Sequence, residues 1–354
     1  MRWMIVAGGT GGHIMPGLAL SEALLEKGRE VFFVAGSRPI EKRILEDKPF
    51  PVYHLEVEGF VGRSLLRKLI ALFKLGLALL RSLKLLRSIN PQIIFAEGGY
   101  VSIPVVLAGK LLGKRLGLHE QNVIPGMANK VLSHLVDRVF ISFPESKDYF
   151  PKDKVVFSGN FVRKSLFTKK EGKKEGICLL ILGGSLGARF INELALEVLP
   201  RLLEEFPNLR VIWQTGFDDY ERVKQKLDED AFGGRVKILP FIDDMGSAYS
   251  EADFVLSRAG ASTIAELCAF GVPALFIPFP YATHNHQEKN AKALVEACGA
   301  FMLRQREATA DKVLSLLRSA LSQEELRVKM GRAMRKFFDP QGVERAIAEM
   351  EALV

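Results

Sequence analysis

One grammar, used twice, constrains the fold of this chain more than anything else in it. A short apolar run is followed by a glycine-rich turn and then by a segment of helical spacing. The first half opens with an apolar run at Trp3–Ala7, continues through GGTGGHIMPG (Gly8–Gly17), and predicts a helix from about Pro16 to Lys27. Pro16 suits a first helical turn, where its missing N–H costs nothing. Further strand-like runs follow, EVFFVA, QIIFAE, RLGLHE and RVFIS, with helical stretches such as Val101–Leu112 between them. The second half restarts at Gly176–Leu182, turns through GGSLGAR (Gly183–Arg189), and goes on to LRVIWQTG, RVKILPFI, ADFVLSRAG and PALFIPF. Apolar strands alternating with helices predict parallel sheets covered on both faces. A length of 354 residues suits two such cores. The lysine- and glycine-rich Phe167–Gly176 reads as a linker or exposed loop between them. The expectation is an α/β chain of two doubly wound domains whose glycine-bearing edges line one shared cleft.

The glycine turns carry the first chemical signal. A strand end, a glycine turn and a helix N-terminus together offer free amides and a positive dipole end, which suits phosphate. The first turn lacks the third glycine of GxGxxG and has no GK[ST]; Gly184-Ser185-Leu186-Gly187 lacks the fingerprint as well. A third turn, Glu97-Gly98-Gly99-Tyr100-Val101-Ser102, follows QIIFA. Any one of them alone reads more readily as a tight turn, but three at strand ends favour one or two pyrophosphate-containing ligands. A dinucleotide fits less well, because EVFFVAG ends at Ser37-Arg38 with no acid for a ribose.

Titratable residues cluster at the same strand ends. His13 stands where the first turn meets its helix, and an imidazole titrating near about 6.5 suits taking a proton from a hydroxyl. It equally suits a hydrogen bond that steadies the loop. His119-Glu120-Gln121-Asn122 directly follows the strand RLGL. Glu266 lies one turn into the helix that begins near Gly260-Ala261-Ser262-Thr263; its carboxylate can pair two vicinal hydroxyls or satisfy the helix dipole. His284-Asn285-His286, beside Gln287 and Asn290, suits polar sugar contacts better than metal, and Asp228-Glu229-Asp230 reads as solvated surface. No metal or other cofactor is expected.

Charge is unevenly placed. Of a formal net +8, residues 1–150 carry +7, which implies an anionic surface for that half. Much of it lies in Arg63–Arg87, with Arg63, Arg67, Lys68, Lys74, Arg81, Lys84 and Arg87 and no acid between Glu58 and Glu97. Leucines, among them Leu72, Leu75 and Leu79, spread apolar character round most of that helix. The mixture favours resting on an anionic lipid surface over burial on two sides. Few aromatics interleave with the basic residues, which disfavours nucleic acid. No uninterrupted apolar stretch reaches the roughly 18 residues of a spanning helix, and the N-terminus does not read as a signal peptide. Three cysteines without a CxxC pair suit a reducing, cytoplasmic setting.

GGTGGHIMPG, AEGGYVSIP, HEQN, GGSLGAR, FIDDM and AGASTIAEL occur in this order, and with them the whole chain resembles the MurG family of glycosyltransferases. The resemblance implies a GT-B fold of two Rossmann-like domains, 1–163 and 164–340, with a helix at about 341–354 returning to the first. It implies transfer, with inversion, of N-acetylglucosamine from UDP-N-acetylglucosamine to the C4 hydroxyl of the N-acetylmuramyl sugar of undecaprenyl-linked lipid I. The setting it implies is peripheral, on the cytoplasmic face of the plasma membrane, near other cell-wall synthesis proteins.

Carried over residue by residue, the resemblance places uracil near the backbone at Ile242 and the ribose on Glu266. The donor phosphates fall to Arg163, Ser185 and the amides of Ala261, Ser262, Thr263, Ile264 and Ala265. Asn122, Gln287 and Asn290 read the sugar, while Thr10, Gly11 and Gly12 face both substrates. Gly12, His13, Gly98, Gly99, Tyr100 and His119 fall on the acceptor side. His13 is the first candidate for the base and Glu120 the second. The chain departs from the family at Phe161, where proline is usual, and at His284, where aspartate is frequent. Two rivals remain: a UDP-N-acetylglucosamine 2-epimerase, which needs no basic apolar helix, and a nucleotide-regulated membrane scaffold without chemistry.

Overall fold

The computed structural model describes the chain apart from residues 10, 58–64, 169–174, 185 and 228–231, and gives only the backbone of 65–70. The chain forms two compact units, Met1–Arg163 with Asp339–Val354, and Lys164–Phe338.

The first unit holds a seven-stranded sheet of β1 (Arg2–Val6), β2 (Glu30–Ala35), β3 (Val52–His54), β4 (Ile93–Ala96), β5 (Arg115–Glu120), β6 (Arg138–Ile141) and β7 (Val155–Phe157). All pairings are parallel, in the order β3-β2-β1-β4-β5-β6-β7. Its helices are α1 (Gly11–Glu26), α2 (Pro39–Leu45), α3 (Leu65–Ile89), α4 (Ser102–Leu111) and α5 (Met127–Leu132). Side chains alternate across a strand, so β1 feeds two cores. Trp3 and Ile5 join Ile14, Leu18 and Leu20 of α1 on one face; Met4 and Val6 join Leu86 of α3 and Val105 of α4 on the other. Both faces are covered, which is why these strands read as unbroken apolar runs.

The second unit repeats the plan with β8 (Ile177–Leu182), β9 (Leu209–Gln214), β10 (Val236–Leu239), β11 (Phe254–Ser257), β12 (Ala274–Phe276) and β13 (Ala300–Met302). These pair in parallel in the order β10-β9-β8-β11-β12-β13. Helices α6 (Arg189–Glu205), α7 (Tyr220–Lys226), α8 (Met245–Glu251), α9 (Ala261–Phe270), α10 (His286–Glu296), α11 (Ala310–Ser322) and α12 (Glu324–Arg335) complete it. The last helix, α13 (Gly342–Glu351), belongs to the first unit, where Ala346, Ile347 and Met350 are buried in the core shared with α1. Arg29 holds Glu351 at 2.8 Å there, and Lys27 holds Glu344 at 2.7 Å.

The start of α1 departs from the sequence expectation. The helix begins at Gly11, so Pro16 sits inside it, its ring buried. The local rule placed proline in the first turn; here burial of the ring holds it deeper, at the loss of one ladder N–H. As a result His13 lies within the first turn of α1 and not ahead of it.

Candidate active site

In each sheet the connections reverse direction at one place, between β1 and β4 and between β8 and β11. Ligands of doubly wound sheets bind beyond the carboxyl ends at such switch points. The glycine turns occupy these positions.

In the first unit, Glu41 of α2 clamps the turn after β1. Its buried carboxylate accepts the N–H groups of Gly9 and, at 2.8 Å, Arg38, while Nη1 of Arg38 donates to the Gly9 carbonyl at 2.6 Å. The amide of Gly9 is therefore spent inside the protein. The sequence offered no acid at the end of β2; the acid comes from the next helix and faces the loop.

His13 reaches from α1 towards the turns after β4 and β5. Its Nδ1 lies 3.0 Å from Oε1 of Gln121, and the Gln121 amide group donates to the carbonyl and the carboxylate of Glu97 at 2.9 and 2.8 Å. Oε2 of Glu97 also meets Nδ1 of His119 at 2.7 Å. Nε2 of His119 faces the Ser142 hydroxyl at 3.1 Å and the Gly159 carbonyl at 3.2 Å. Phe161 stacks on the His119 ring, centroids 4.1 Å apart, which gives the departure at 161 a role as a cover. Glu97, His119 and Gln121 are closed to solvent. Two of the candidate residues turn inward here. His119 is bonded inward on both ring nitrogens and presents nothing to an acceptor. Glu120, also buried, is saturated: it accepts from Asn122 N and Nδ2, Gly126 N and Asn129 Nδ2 at 2.9–3.2 Å, and so folds the loop after β5. Neither Glu97 nor Glu41 had been singled out, because nothing in a linear pattern marks a carboxylate as buried.

Gly98 and Gly99 have φ of +99° and +81°. A Cβ on Gly98 would stand 3.2 Å from Cε1 of His13, and one on Gly99 would stand 2.2 Å from the Gly8 carbonyl oxygen. The two bare residues let the turns after β1 and β4 touch, with the His13 ring against them.

The second unit presents α9 at its switch point, with Gly260 as N-cap and the amides of Ala261, Ser262 and Thr263 in its first turn. Ile264 and Ala265 follow, both buried, and Glu266 accepts a 2.7 Å hydrogen bond from the buried Tyr249 hydroxyl. Gln287 of α10 accepts from the Ala259 and Phe279 amides at 3.2 and 3.0 Å, which leaves its amide group for other partners. Asn290, next along that helix face, is fully buried, and Ile242 nearly so. His284 has φ of +52°, a region that histidine tolerates better than most side chains, as aspartate does. Arg258 was not foreseen. It donates to the Ile277 and Pro278 carbonyls at 3.0 and 3.1 Å and to Gln305 at 2.8 Å, and burial pushes its pKa down to about 10. It ties the ends of β11 and β12 together.

Thr10, Ser185 and Arg63 lie outside the described residues, as do Asp228–Asp230, and the side chains of Arg67 and Lys68 are not described. Arg163 ends the first unit with its Nε buried and without a hydrogen-bond partner among the described residues. On α3 the face differs from the expected one. Leu72 is exposed, but Leu75 is half-buried and Leu79 packs on the core; Phe73, Leu77 and Leu80 point outward. The small residues Ala71, Ala78 and Ser82 are buried, as are Leu86 and Ile89 near the end of the helix, and α3 lies along α4. No helix of the described residues is long and apolar enough to cross a membrane.

Two doubly wound sheets, each with a glycine turn and a helix N-terminus at its switch point, define the class of two-domain, Rossmann-like α/β proteins. Residues 3–141 match the glycosyltransferase family 28 N-terminal domain and residues 178–346 the C-terminal domain, so the chain belongs to glycosyltransferase family 28. Its near-full-length relatives carry one particular name. The chain is 42% identical over 318 residues, 88% of each chain, to the UDP-N-acetylglucosamine--N-acetylmuramyl-(pentapeptide) pyrophosphoryl-undecaprenol N-acetylglucosamine transferase of Syntrophus aciditrophicus. The crystal structure of Acinetobacter baumannii MurG matches with a TM-score of 0.77 at 32% identity, covering 99% of both chains. A UDP-GlcNAc 2-epimerase from Neisseria meningitidis matches with a TM-score of 0.69 over 99% of this chain and 100% of that one. Its identity is only 15%, a likeness of fold alone.

Proposed function

We propose that the protein transfers N-acetylglucosamine from UDP-N-acetylglucosamine to the C4 hydroxyl of the N-acetylmuramyl sugar of lipid I, giving lipid II. The observation that carries this reading is the near-full-length identity to transferases of that name.

The division of labour follows the two switch points. The donor falls to the second unit. There Glu266 takes the ribose hydroxyls, Ile242 borders the base, and the Ala261–Ala265 amides and Ser185 meet the diphosphate; Arg163, which ends the first unit, is assigned to the diphosphate as well. The positive end of α9 stabilises the charge that builds on departing UDP, which needs no metal. Gln287, Asn290 and Asn122 read the sugar. The acceptor falls to Thr10–Gly12 and Gly98–Tyr100 of the first unit, with His13 removing the C4 proton as the new bond forms and UDP leaves. Glu120 shapes the loop that carries Asn122.

The site of action is the cytoplasmic surface of the plasma membrane, without spanning. Leu72, Phe73, Leu77 and Leu80 of α3, with Leu111 of α4 and Met127 and Val131 of α5, are exposed on helices that pack together, among basic side chains. Replacing Phe73 and Leu80 together by glutamate is expected to weaken cosedimentation with anionic vesicles by about tenfold or more. Unchanged cosedimentation, with unchanged melting, would remove α3 from the membrane contact.

Tyr249→Phe deletes the hydroxyl that holds Glu266. The KM for UDP-N-acetylglucosamine should rise about fivefold, the worth of one ordinary hydrogen bond, with kcat little changed. A KM equal to the parent's would detach Tyr249 from donor binding. The reaction itself is tested by incubation with UDP-N-acetylglucosamine and a short-chain lipid I analogue. UDP release that requires the acceptor, with a product heavier by one N-acetylhexosamine, is the expected result. Epimerised sugar, or no product, would overturn the assignment in favour of the epimerase or the scaffold.

A further inference from the structure

We propose that Gln121 is a positioning residue which fixes the tautomer and orientation of His13, and that Glu97 decides which way the Gln121 amide points. The inference rests on the reading of His13 as the base. Its starting point is the donor and acceptor inventory of the buried cluster. The Glu97 carbonyl and carboxylate can only accept, so the Gln121 atom that meets both, at 2.9 and 2.8 Å, is the NH2 group. This turns Oε1 of Gln121 onto Nδ1 of His13, 3.0 Å away. A carbonyl oxygen also only accepts, so Nδ1 carries the ring proton and Nε2 keeps its lone pair. Reversing the amide would set its oxygen against both the Glu97 carbonyl and the Glu97 carboxylate.

Glu97 is itself held. Nδ1 of His119 binds its Oε2, and the His119 ring is fastened by Ser142, Gly159 and the face of Phe161. Oε1 of Glu97 has no hydrogen-bond partner among the described residues. A fully buried carboxylate with one oxygen unsatisfied costs stability that an apolar side chain would not. That cost fits a residue kept for orientation rather than for packing. A base steered by a third group through its other ring nitrogen is the general form of an activated catalytic histidine.

The decisive observable is the ring itself. In the full-length protein labelled with 15N-histidine, at alkaline pH where imidazole is neutral, the His13 signals, assigned by their loss in His13→Ala, should report Nδ1–H. Gln121→Met keeps the length but removes the amide. In it the signals should move toward Nε2–H and kcat should fall about 10²-fold, with UDP-N-acetylglucosamine binding retained. An Nε2–H tautomer in the parent protein overturns the proposal whether or not any variant folds. So does a Gln121→Met protein with parental tautomer and kcat. If His13→Ala keeps its turnover, the base reading fails; if His13→Ala is dead while Gln121→Met is unaffected, only this inference fails.

Discussion

Turnover of His13→Ala with a short-chain lipid I analogue is expected to fall by about 10²–10⁴-fold, while the affinity for UDP-N-acetylglucosamine stays at the parent value. That loss corresponds to about 3–5 kcal/mol of transition-state stabilisation. The split between turnover and donor affinity is diagnostic because His13 belongs to the first unit, whereas Glu266 and Gln287, to which donor binding is assigned in the proposed function, belong to the second. A residue that only steadied the glycine turn would alter substrate affinity as well. Stopped or steady-state measurement of UDP release, set beside donor titration, separates the two. Unchanged turnover would take the proton-accepting role away from His13.

Gly99→Ala should abolish activity and cost about 3 kcal/mol of stability, because two penalties coincide. The backbone is at φ +81°, and the added carbon would stand 2.2 Å from the Gly8 oxygen. Neither turn can retreat. The Glu97 amide donates to the Val6 carbonyl at 2.8 Å, and Gly8 is already backed by Val101 and Glu41. Gly113→Ala is the matched control: φ is +64° there, but nothing lies within 4 Å of the added carbon. Denaturant titration of both proteins reads the difference. Equal losses would mean that the approach of the two turns contributes nothing beyond backbone strain.

How much of this was legible in the chain depends on whether the information is local. β4, β8 and β11 declared themselves because a strand covered on both faces must be apolar throughout, and the glycine turns declared themselves at strand ends. Pro16 misled because a helix start is set by where a ring finds burial as well as by the missing N–H. In α3, leucines occupy nearly every face, so hydrophobicity could not say which face is outward. The small side chains of Ala71, Ala78 and Ser82 decide it, by letting that face lie close to its neighbours. Glu41, Glu97 and Arg258 were passed over for a common reason. Glu97 and Arg258 work through partners distant in sequence, Glu41 holds Gly9 as well as the nearby Arg38, and burial of a charge is a property of the fold around it.

The return of α13 to the first unit has a consequence for biosynthesis. Residues 164–338 form a continuous insertion in the first unit, whose core takes Ala346, Ile347 and Met350 from beyond it. Domains usually mature in the order in which they leave the ribosome. Here the unit begun first is finished last: its α1 face stays open until the final helix has been made, while the inserted unit already has every residue it needs. The half that carries His13 therefore waits, exposed and unfinished, for α13.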